Sequence, residues 1–449
     1  MPEKTKSLYI ESLGCAKNQV DSEVIIEKLR QDGWNRTDDV SKADLIIVNT
    51  CGFIESAKQE SIETIFNLSQ QASNDARIAV CGCLAQRYSE QLLLDMPEVD
   101  GVFGNHDLGK ISEFVKNIQN ERQQFTPEYP ADPYDEFDNR SQLLSWPGSA
   151  YLKISEGCNH RCHYCAIPVI RGDLRSRPMD LILKDAQTLA DQGIKEINII
   201  AQDLAAYGTD VTKEGQFIQL LEKIAAIPGD FKIRLLYIHP DAFPSGLLDL
   251  MKKNPRILHY FDLPMQHADP DVLKEMGRTG SPEKYADLVN MIRTELPDAV
   301  IRTTLMLGYL HEDDKAFELL CNFVKKCRFD WMGSFVYSRE EDTPAYPLRT
   351  EQEQEEAESI ARKRQKKLEK IQEKITARRL ERFVGNEYDV LIEETFEGQD
   401  LAIGRIYSQA PDVDGQTVVM GQNMVAGQVY RCGIRRTAGL DLDAVKIDD

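Results

Sequence analysis

Three cysteines fall within eight residues in the stretch Glu156-Gly157-Cys158-Asn159-His160-Arg161-Cys162-His163-Tyr164-Cys165-Ala166-Ile167-Pro168. No other part of the 449-residue chain restricts its fold and chemistry as strongly. Thiolates are soft ligands suited to iron–sulfur clusters or zinc. A closed structural zinc site takes four protein ligands, often as two Cys-x2-Cys pairs. Three thiolates separated by three residues and then two can instead hold three corners of a cubane and leave one iron open to a cofactor. A zinc loop and three reduced thiols without function are the plainer alternatives. The apolar run Ala150 to Ile154 reads as a strand, which places the cysteines in the loop that follows it.

Upstream, strand and helix patterns alternate. Ser7–Leu13, Leu45–Asn49, Arg77–Cys81 and Val99–Phe103 read as short strands; Asn18–Gln31, Glu55–Gln71 and Gln86–Asp95 read as helices. Short apolar strands between helices argue for an open parallel sheet covered on both faces. Ligands of such sheets gather beyond the carboxyl ends of the strands. Cysteines sit at three of those ends: Cys15 in Leu13-Gly14-Cys15-Ala16-Lys17-Asn18, Cys51 in Asn49-Thr50-Cys51-Gly52, and Cys83 in Gly82-Cys83-Leu84-Ala85-Gln86-Arg87. One cysteine per strand end is what a second three-thiolate cluster requires, and the glycine beside each permits close backbone approach. Any one of them alone reads better as a buried small hydrophobe. Cys81 competes with Cys83 for the third place.

Residues Gln119 to Leu144 carry Pro127, Pro130, Pro133 and the acidic run Asp132 to Asp138 without periodicity, and read as an irregular linker. From Tyr151 the alternation resumes, with strands at Glu196–Ile200, Lys232–Tyr237, Tyr260–Pro264, Val300–Leu307 and Trp331–Tyr337. Six strand–helix units predict an incomplete parallel barrel with its functional residues at the carboxyl ends of the strands. Glu351 to Arg382 reads as one long helix, acidic first and basic later, as the helix dipole prefers. Its basic half could bind nucleic acid, although a solvated connector is the simpler reading. Short runs at Glu387–Ile392, Leu401–Ile406, Thr417–Met420 and Gln428–Arg431 then predict a small antiparallel β-barrel.

These motifs carry a resemblance. The Cys-x3-Cys-x2-Cys loop is similar to the cluster loop of radical S-adenosylmethionine (SAM) enzymes. The stretch Cys158 to Pro178, ending Arg171-Gly172-Asp173-Leu174-Arg175-Ser176-Arg177-Pro178, resembles the methylthiotransferases of that superfamily. The resemblance covers nearly the whole chain. It implies a cluster domain over 1–120, a linker over 121–143, a radical SAM core over 144–380 built as a partial (β/α)6 barrel, and a TRAM barrel over 381–449. It implies two 4Fe-4S clusters, the first on Cys15, Cys51 and Cys83, the second on Cys158, Cys162 and Cys165 with SAM on its open iron. The Gly-Cys-Leu-Ala-Gln context selects Cys83 over Cys81. Gln202 and Asp203 follow a strand where radical SAM proteins commonly hold the amino-acid end of SAM; a solvent-facing loop pair is the alternative. No other catalytic side chain is implied.

The family reaction replaces a C–H bond with C–S–CH3, through a 5′-deoxyadenosyl radical from reductive SAM cleavage. Its two main branches act on a tRNA adenosine or on the β-carbon of an aspartate in ribosomal protein S12. Arg171-Gly172-Asp173-Leu174, Asp262-Leu263-Pro264-Met265-Gln266-His267-Ala268 and Arg302-Thr303-Thr304 resemble the ribosomal-protein branch. S12 or the small ribosomal subunit, an electron donor and a sulfur donor are the partners this implies. One departure stands out: Gly308-Tyr309-Leu310-His311-Glu312 replaces the usual Gly-Phe-Pro-Gly-Glu turn, which changes its backbone preferences.

Charge favours a basic partner. The chain carries 54 Lys and Arg against 74 Asp and Glu, and residues 381–449 carry 6 against 13. An RNA-binding barrel would be expected to show a basic stripe or an aromatic platform. No apolar run reaches the ~18 residues of a membrane span and Met1 to Ser12 has no signal-like core, so a cytoplasmic protein is expected. A two-cluster electron carrier is the non-enzymatic alternative; it predicts four-ligand clusters and intact SAM.

Overall fold

The computed structural model describes residues 6–129 and 140–447. Pro130, Pro133 and the run Asp132 to Asp138 lie outside the described residues.

The first sheet contains β1 (Lys6–Ser12), β2 (Trp34–Arg36), β3 (Leu45–Thr50), β4 (Arg77–Gly82), β5 (Gly101–Phe103) and β6 (Gln123–Phe125) in the order β2-β1-β3-β4-β5-β6. Every pairing is parallel. All six residues of β3 are buried, as expected for a strand covered on both faces. The chain leaves β1 toward β2 on one side and returns to β3 on the other. That reversal opens a crevice beyond the carboxyl ends of β1 and β3, where doubly wound sheets bind ligands. Two edge strands escape the sequence reading. β2 is three residues long, and β6 lies inside the stretch assigned to the linker. Three-residue strands are too short to show a period of two.

The central domain is a split arc. Strands β7 (Ser149–Lys153), β10 (Glu196–Ile200) and β11 (Lys232–Leu235) form one parallel sheet; β12 (Tyr260–Asp262), β13 (Val300–Leu307) and β14 (Trp331–Val336) form another. A two-strand ribbon of β8 (Ser155–Glu156) and β9 (Arg175–Ser176) brackets the cysteine loop. The expected six strands are all present, but the ladder breaks between β11 and β12. The Ile233–Ile257 bridge and the Ile238 N–H to Asp262 carbonyl bond (2.9 Å) join the two halves there in place of a continuous ladder.

The N-terminal domain spans both edges of this open arc. Its first helix, Ala16–Gln31, packs on β7 through Asp21–Lys153 and through Glu23–Arg140 (2.5 Å). At the far edge, beyond β14, buried Glu340 accepts from Arg87 (2.7 Å) and Lys58 (3.2 Å). The cluster domain is thereby clamped over the carboxyl ends of the barrel strands.

The long helix Glu351–Leu380 is not a free connector. A capping box at Thr350 and Glu353 starts it, and Ala361, Leu368, Gln372, Thr376 and Leu380 are buried along one stripe.

The C-terminal strands β15 (Glu387–Thr395), β16 (Leu401–Arg405), β17 (Thr417–Met420), β18 (Val429–Ala438) and β19 (Asp441–Lys446) close into a barrel. Four of the five joints are antiparallel, whereas β17 and β19 run parallel. The ten-residue β18 crosses the barrel and its hairpin returns β19 beside β17 in that direction. The polar start of β19 hid this fifth strand from the sequence reading.

This barrel plugs the amino ends of the central strands. Trp331 donates to the Ser408 carbonyl (2.6 Å), and Tyr260 donates to Asp414 (2.6 Å). Glu196 accepts from Arg234 (2.8 Å) and Arg405 (2.9 Å). Burial would raise the Glu196 carboxyl, but the two guanidiniums overcome it and hold it at about 2. Glu393, which also accepts from Arg405, moves the opposite way because burial wins there. A depressed carboxyl contributes its stability in full above its unfolded value of about 4.3, and loses it as pH falls toward its folded value. Acidification from pH 5 to 2 should therefore remove roughly 3 kcal/mol from this joint. Trp331 fluorescence should report the change, and Glu196→Gln should flatten it while weakening the joint at neutral pH.

Candidate functional site

The three N-terminal thiols meet in the crevice beyond β1, β3 and β4. Cys15 is the N-cap of the helix Ala16–Gln31, and Cys83 opens the helix Cys83–Asp95. Burial pushes the Cys83 thiol up. The loops touch each other closely. A Cβ on Gly14 would lie 2.8 Å from the Cys51 Cβ, and one on Gly52 would lie 2.8 Å from Leu84 backbone atoms. Larger residues at either position would push the loops apart.

Asn18 is the hub of this crevice. Its amide donates to the carbonyls of Leu13 (3.1 Å) and Thr50 (2.9 Å), tying the ends of β1 and β3. Its Oδ1 accepts from the Cys83 thiol (3.4 Å) and from Arg171 (2.6 Å). Asn105 also donates to the Cys83 sulfur (3.7 Å). Cys81 is instead buried in the sheet core, packed with residues such as Phe103 and Ala79. The structure thus brings Cys15, Cys51 and Cys83 together and leaves Cys81 aside.

The second triplet hangs between β8 and β9. Gly157 takes a left-handed φ of +71°, and a side chain there would strike the Asp173 carbonyl. The Cys158 sulfur accepts from the His160 N–H (3.5 Å), and the Cys165 N–H donates to the Cys162 carbonyl (3.0 Å). Behind Cys162 stand Met276, Met306, Tyr309 and Tyr337, an apolar wall that excludes water. Cys83 packs against Ala166, the residue after Cys165, so the two triplets are neighbours.

Arg171 joins them. Its guanidinium donates to Glu156 (2.9 and 3.0 Å), Asp21 (2.9 Å), Asn18 (2.6 Å) and the Cys83 sulfur (3.6 Å). Lys153 completes the network by pairing with Asp21 and Glu156. Sequence reading used Arg171 only as a branch signature. Its partners lie up to 153 positions away, beyond any local pattern. Lys17 is a second such residue: it is buried, donates to the Ala201 carbonyl (3.1 Å) and lies 3.8 Å over the Tyr237 ring.

Gln202 and Asp203 differ in what holds them. Neither polar atom of the Gln202 side chain has a hydrogen-bond partner among the described residues, although both are buried. The Asp203 carboxylate accepts from His160 (2.6 Å) and from the N–H groups of Ala205 (3.0 Å) and His239 (2.9 Å). Asp203 therefore holds its loop and orients His160, which stacks on His239 at 3.9 Å. Burial, with Arg278 and His160 beside it, pushes His239 down to about 2 and keeps its ring neutral. Arg278 is the donor the sequence did not reveal. It donates to the Tyr164 hydroxyl (2.9 Å), while its Nε and Nη1 are buried without a hydrogen-bond partner among the described residues.

His267 is fully buried; its Nδ1 accepts from the Asp269 N–H (3.0 Å), and it lies 3.4 Å from Glu312, which marks it as structural. The unusual turn is held from outside. Glu312 accepts from the Gly308 N–H (2.8 Å) and from Arg364 (2.7 Å), while His311 takes a left-handed φ of +62°. Cys321, Cys327 and Cys432 are buried in hydrophobic cores.

The donors fit iron–sulfur clusters and SAM. Burial pushes the Cys51 and Cys165 thiols up to about 12 and the Cys158 thiol up to about 11, so they yield protons only to a strongly cationic partner such as iron. Among the described residues no three His, Cys, Asp or Glu side chains converge on a single metal ion. A four-iron cluster spreads its ligands more widely. The Gln202 amide and the Nε and Nη1 of Arg278 suit the ammonium and carboxylate of an amino acid.

Comparison with known proteins agrees with this architecture. Residues 7–104 match the family described as "Uncharacterized protein family UPF0004", residues 152–324 the radical SAM superfamily, and residues 384–447 the TRAM domain. The ribosomal protein uS12 methylthiotransferase RimO of Geobacter sulfurreducens is 41% identical over 437 residues, 96% of each chain. The protein of the same name from Citrifermentans bemidjiense is 40% identical over 455 residues, 100% of each chain. Among solved structures, the radical SAM methyltransferase TsrM of Kitasatospora setae superposes with a TM-score of 0.57 at 15% identity, covering 78% of each chain, a likeness of fold alone. Two thiol triplets on a cluster domain and a split radical SAM arc, closed by a TRAM barrel, place the chain in the RimO family of radical SAM methylthiotransferases.

Proposed function

We propose that the protein transfers a methylthio group to the β-carbon of an aspartate in ribosomal protein S12. The geometric observation that carries this reading is Arg171, which reaches from the second cysteine loop to the sulfur of Cys83 (3.6 Å). Two sites of different chemistry must act on one substrate carbon, and this contact holds them in one place. The identity to proteins named for uS12, 41% over 96% of the chain, supports the choice of substrate. The acidic TRAM barrel, 6 basic against 13 acidic residues, suits a basic ribosomal protein.

We assign Cys15, Cys51 and Cys83 to one 4Fe-4S cluster and Cys158, Cys162 and Cys165 to the other. Bound there, the clusters and SAM supply the one-electron and sulfur chemistry that an unactivated C–H bond requires and no side chain provides. Each triplet offers three thiolates, which leaves the fourth position open. Arg278 would hold the carboxylate of SAM and Gln202 its ammonium, while Asp203 fixes the loop that carries Gln202. The wall of Met276, Met306, Tyr309 and Tyr337 keeps water from the second triplet. Arg171 and Asn18 fix the first triplet relative to the second. An electron donor and a sulfur source are the remaining partners.

The test is substrate dependence. Anaerobically reconstituted, reduced protein with SAM should form 5′-deoxyadenosine in proportion to added S12, and not to added tRNA. Product that follows tRNA would move the protein to the other branch, and no product with either would remove the enzymatic reading.

A further inference from the structure

The outer face of the central domain reverses the sign of the molecule. A groove of about 900 Å³ runs between the helices Asp314–Cys327 and Glu351–Leu380. Ten Lys or Arg line it together with Ile371 and Ile375, and among the described residues no acidic one does. One wall presents Lys363, Lys367, Lys370, Lys374 and Arg378, spaced by three or four residues along a single helix face, with Lys366 beside them. All six are exposed, as are Lys325 and Arg328 on the opposite wall. Among the described residues no carboxylate lies within ion-pair distance of these eight; of the ten, Arg379 and Arg382 pair with a carboxylate, both with Asp330, and Lys367 lies 5.3 Å over the Phe317 ring. In a chain of net charge −20, eight uncompensated cations on one face oppose folding by mutual repulsion. The interior packing of the helix does not require them, since Ala361, Leu368, Gln372, Thr376 and Leu380 make that contact.

The chemistry of the groove selects its partner. It offers ammonium groups on flexible stems, at one-turn intervals over ~22 Å, and recessed isoleucines in place of aromatic anchors. Protein interfaces are built on desolvated apolar or aromatic cores, and membrane-surface helices on an exposed apolar face; the groove has neither. A row of point charges that ignores base identity is the footprint of a phosphodiester backbone. The acidic barrel would repel that same backbone, so this groove and not the barrel suits it.

We propose that this groove docks the RNA backbone that surrounds the substrate protein in the assembled small ribosomal subunit. Nucleic acid thus contacts the long helix rather than the TRAM barrel. The inference rests on S12 as substrate and adds that its ribosome-embedded form is recognised through RNA.

The experiment has two arms. In the first, a labelled RNA duplex of about twenty base pairs is titrated with intact protein across a range of salt, without SAM or S12. Wild-type protein should bind with steep salt dependence. The triple variant Lys366→Glu, Lys370→Glu, Lys374→Glu should bind at least ~10-fold more weakly, with the log–log salt slope reduced by roughly two to three. Lys370→Gln with Lys374→Gln, which only neutralises, should show a smaller loss of the same kind. Equal binding and slope in wild type and variants would overturn the proposal, as would preference for polyglutamate or phosphatidylglycerol vesicles over RNA. In the second arm the triple variant should modify free S12 at the wild-type rate but assembled subunits at least ~10-fold more slowly. Failure of wild-type protein to modify S12 in either form would strike the substrate reading alone, because the first arm needs no substrate.

Discussion

Cys162→Ala should lose SAM cleavage altogether, by roughly 10⁴-fold or more, because no side chain of the protein can substitute for that chemistry. Cys162 is buried against Met276, Met306 and Tyr309, so removing its sulfur empties a site that water cannot refill with a ligand of equal softness. Iron and sulfide content should fall by half, since the first triplet is built on separate loops. Cys83→Ala should give the complementary result. It should also lose half of the iron, yet still convert SAM to 5′-deoxyadenosine, now without methylthio transfer. Cys81→Ala is the control. Its thiol lies in the sheet core, and its loss should cost about 1 kcal/mol of stability while leaving both clusters in place. Iron analysis beside a 5′-deoxyadenosine assay separates the three outcomes. Retention of full iron in Cys83→Ala, or half loss in Cys81→Ala, would reassign the first site.

Arg171→Met should be the most damaging substitution outside the cysteines. The side chain is 3% exposed and satisfies two carboxylates, an amide and a sulfur at once. Without it, buried Asp21 and half-buried Glu156 keep only Lys153 to offset them. Removing one partner from a buried ionic network costs about 3–5 kcal/mol, chiefly through the charge left behind. The loss falls on the contact between the cluster domain and the barrel arc. Limited proteolysis should therefore cut between these domains faster than within them. Arg171→Lys should rescue little, since one ammonium cannot span Glu156, Asp21 and Asn18 together. Unchanged proteolysis and full activity in Arg171→Met would show that the two triplets are aligned by other means.

Much of this molecule was legible from local patterns. Apolar runs located β3, β10 and β13, and a cysteine beyond each of β1, β3 and β4 pointed to the crevice where the order of strands reverses. The TRAM barrel was legible in four of its five strands. What escaped lacked a local signature. The edge strand Gln123–Phe125 is three polar-flanked residues, and Asp441–Lys446 begins with acids. Asn18, Arg171 and Arg278 are polar residues whose meaning comes from partners in other segments. Asp203, expected at the cofactor, also caps its own loop and holds His160, contacts with no local signature in the sequence. The Gly308–Glu312 turn lost the family's glycine and proline, yet it closes because Arg364, from the distant long helix, clamps Glu312.

In the proposed reaction two open sites act on one carbon of one protein. The direct measurement is the mass of S12 after incubation with anaerobically reconstituted, reduced enzyme and SAM, followed by fragmentation to locate the change. One methylthio group on a single aspartate, formed together with 5′-deoxyadenosine, is the predicted result. Unmodified S12 beside methylthiolated tRNA, or two full clusters with SAM left intact, would contradict it.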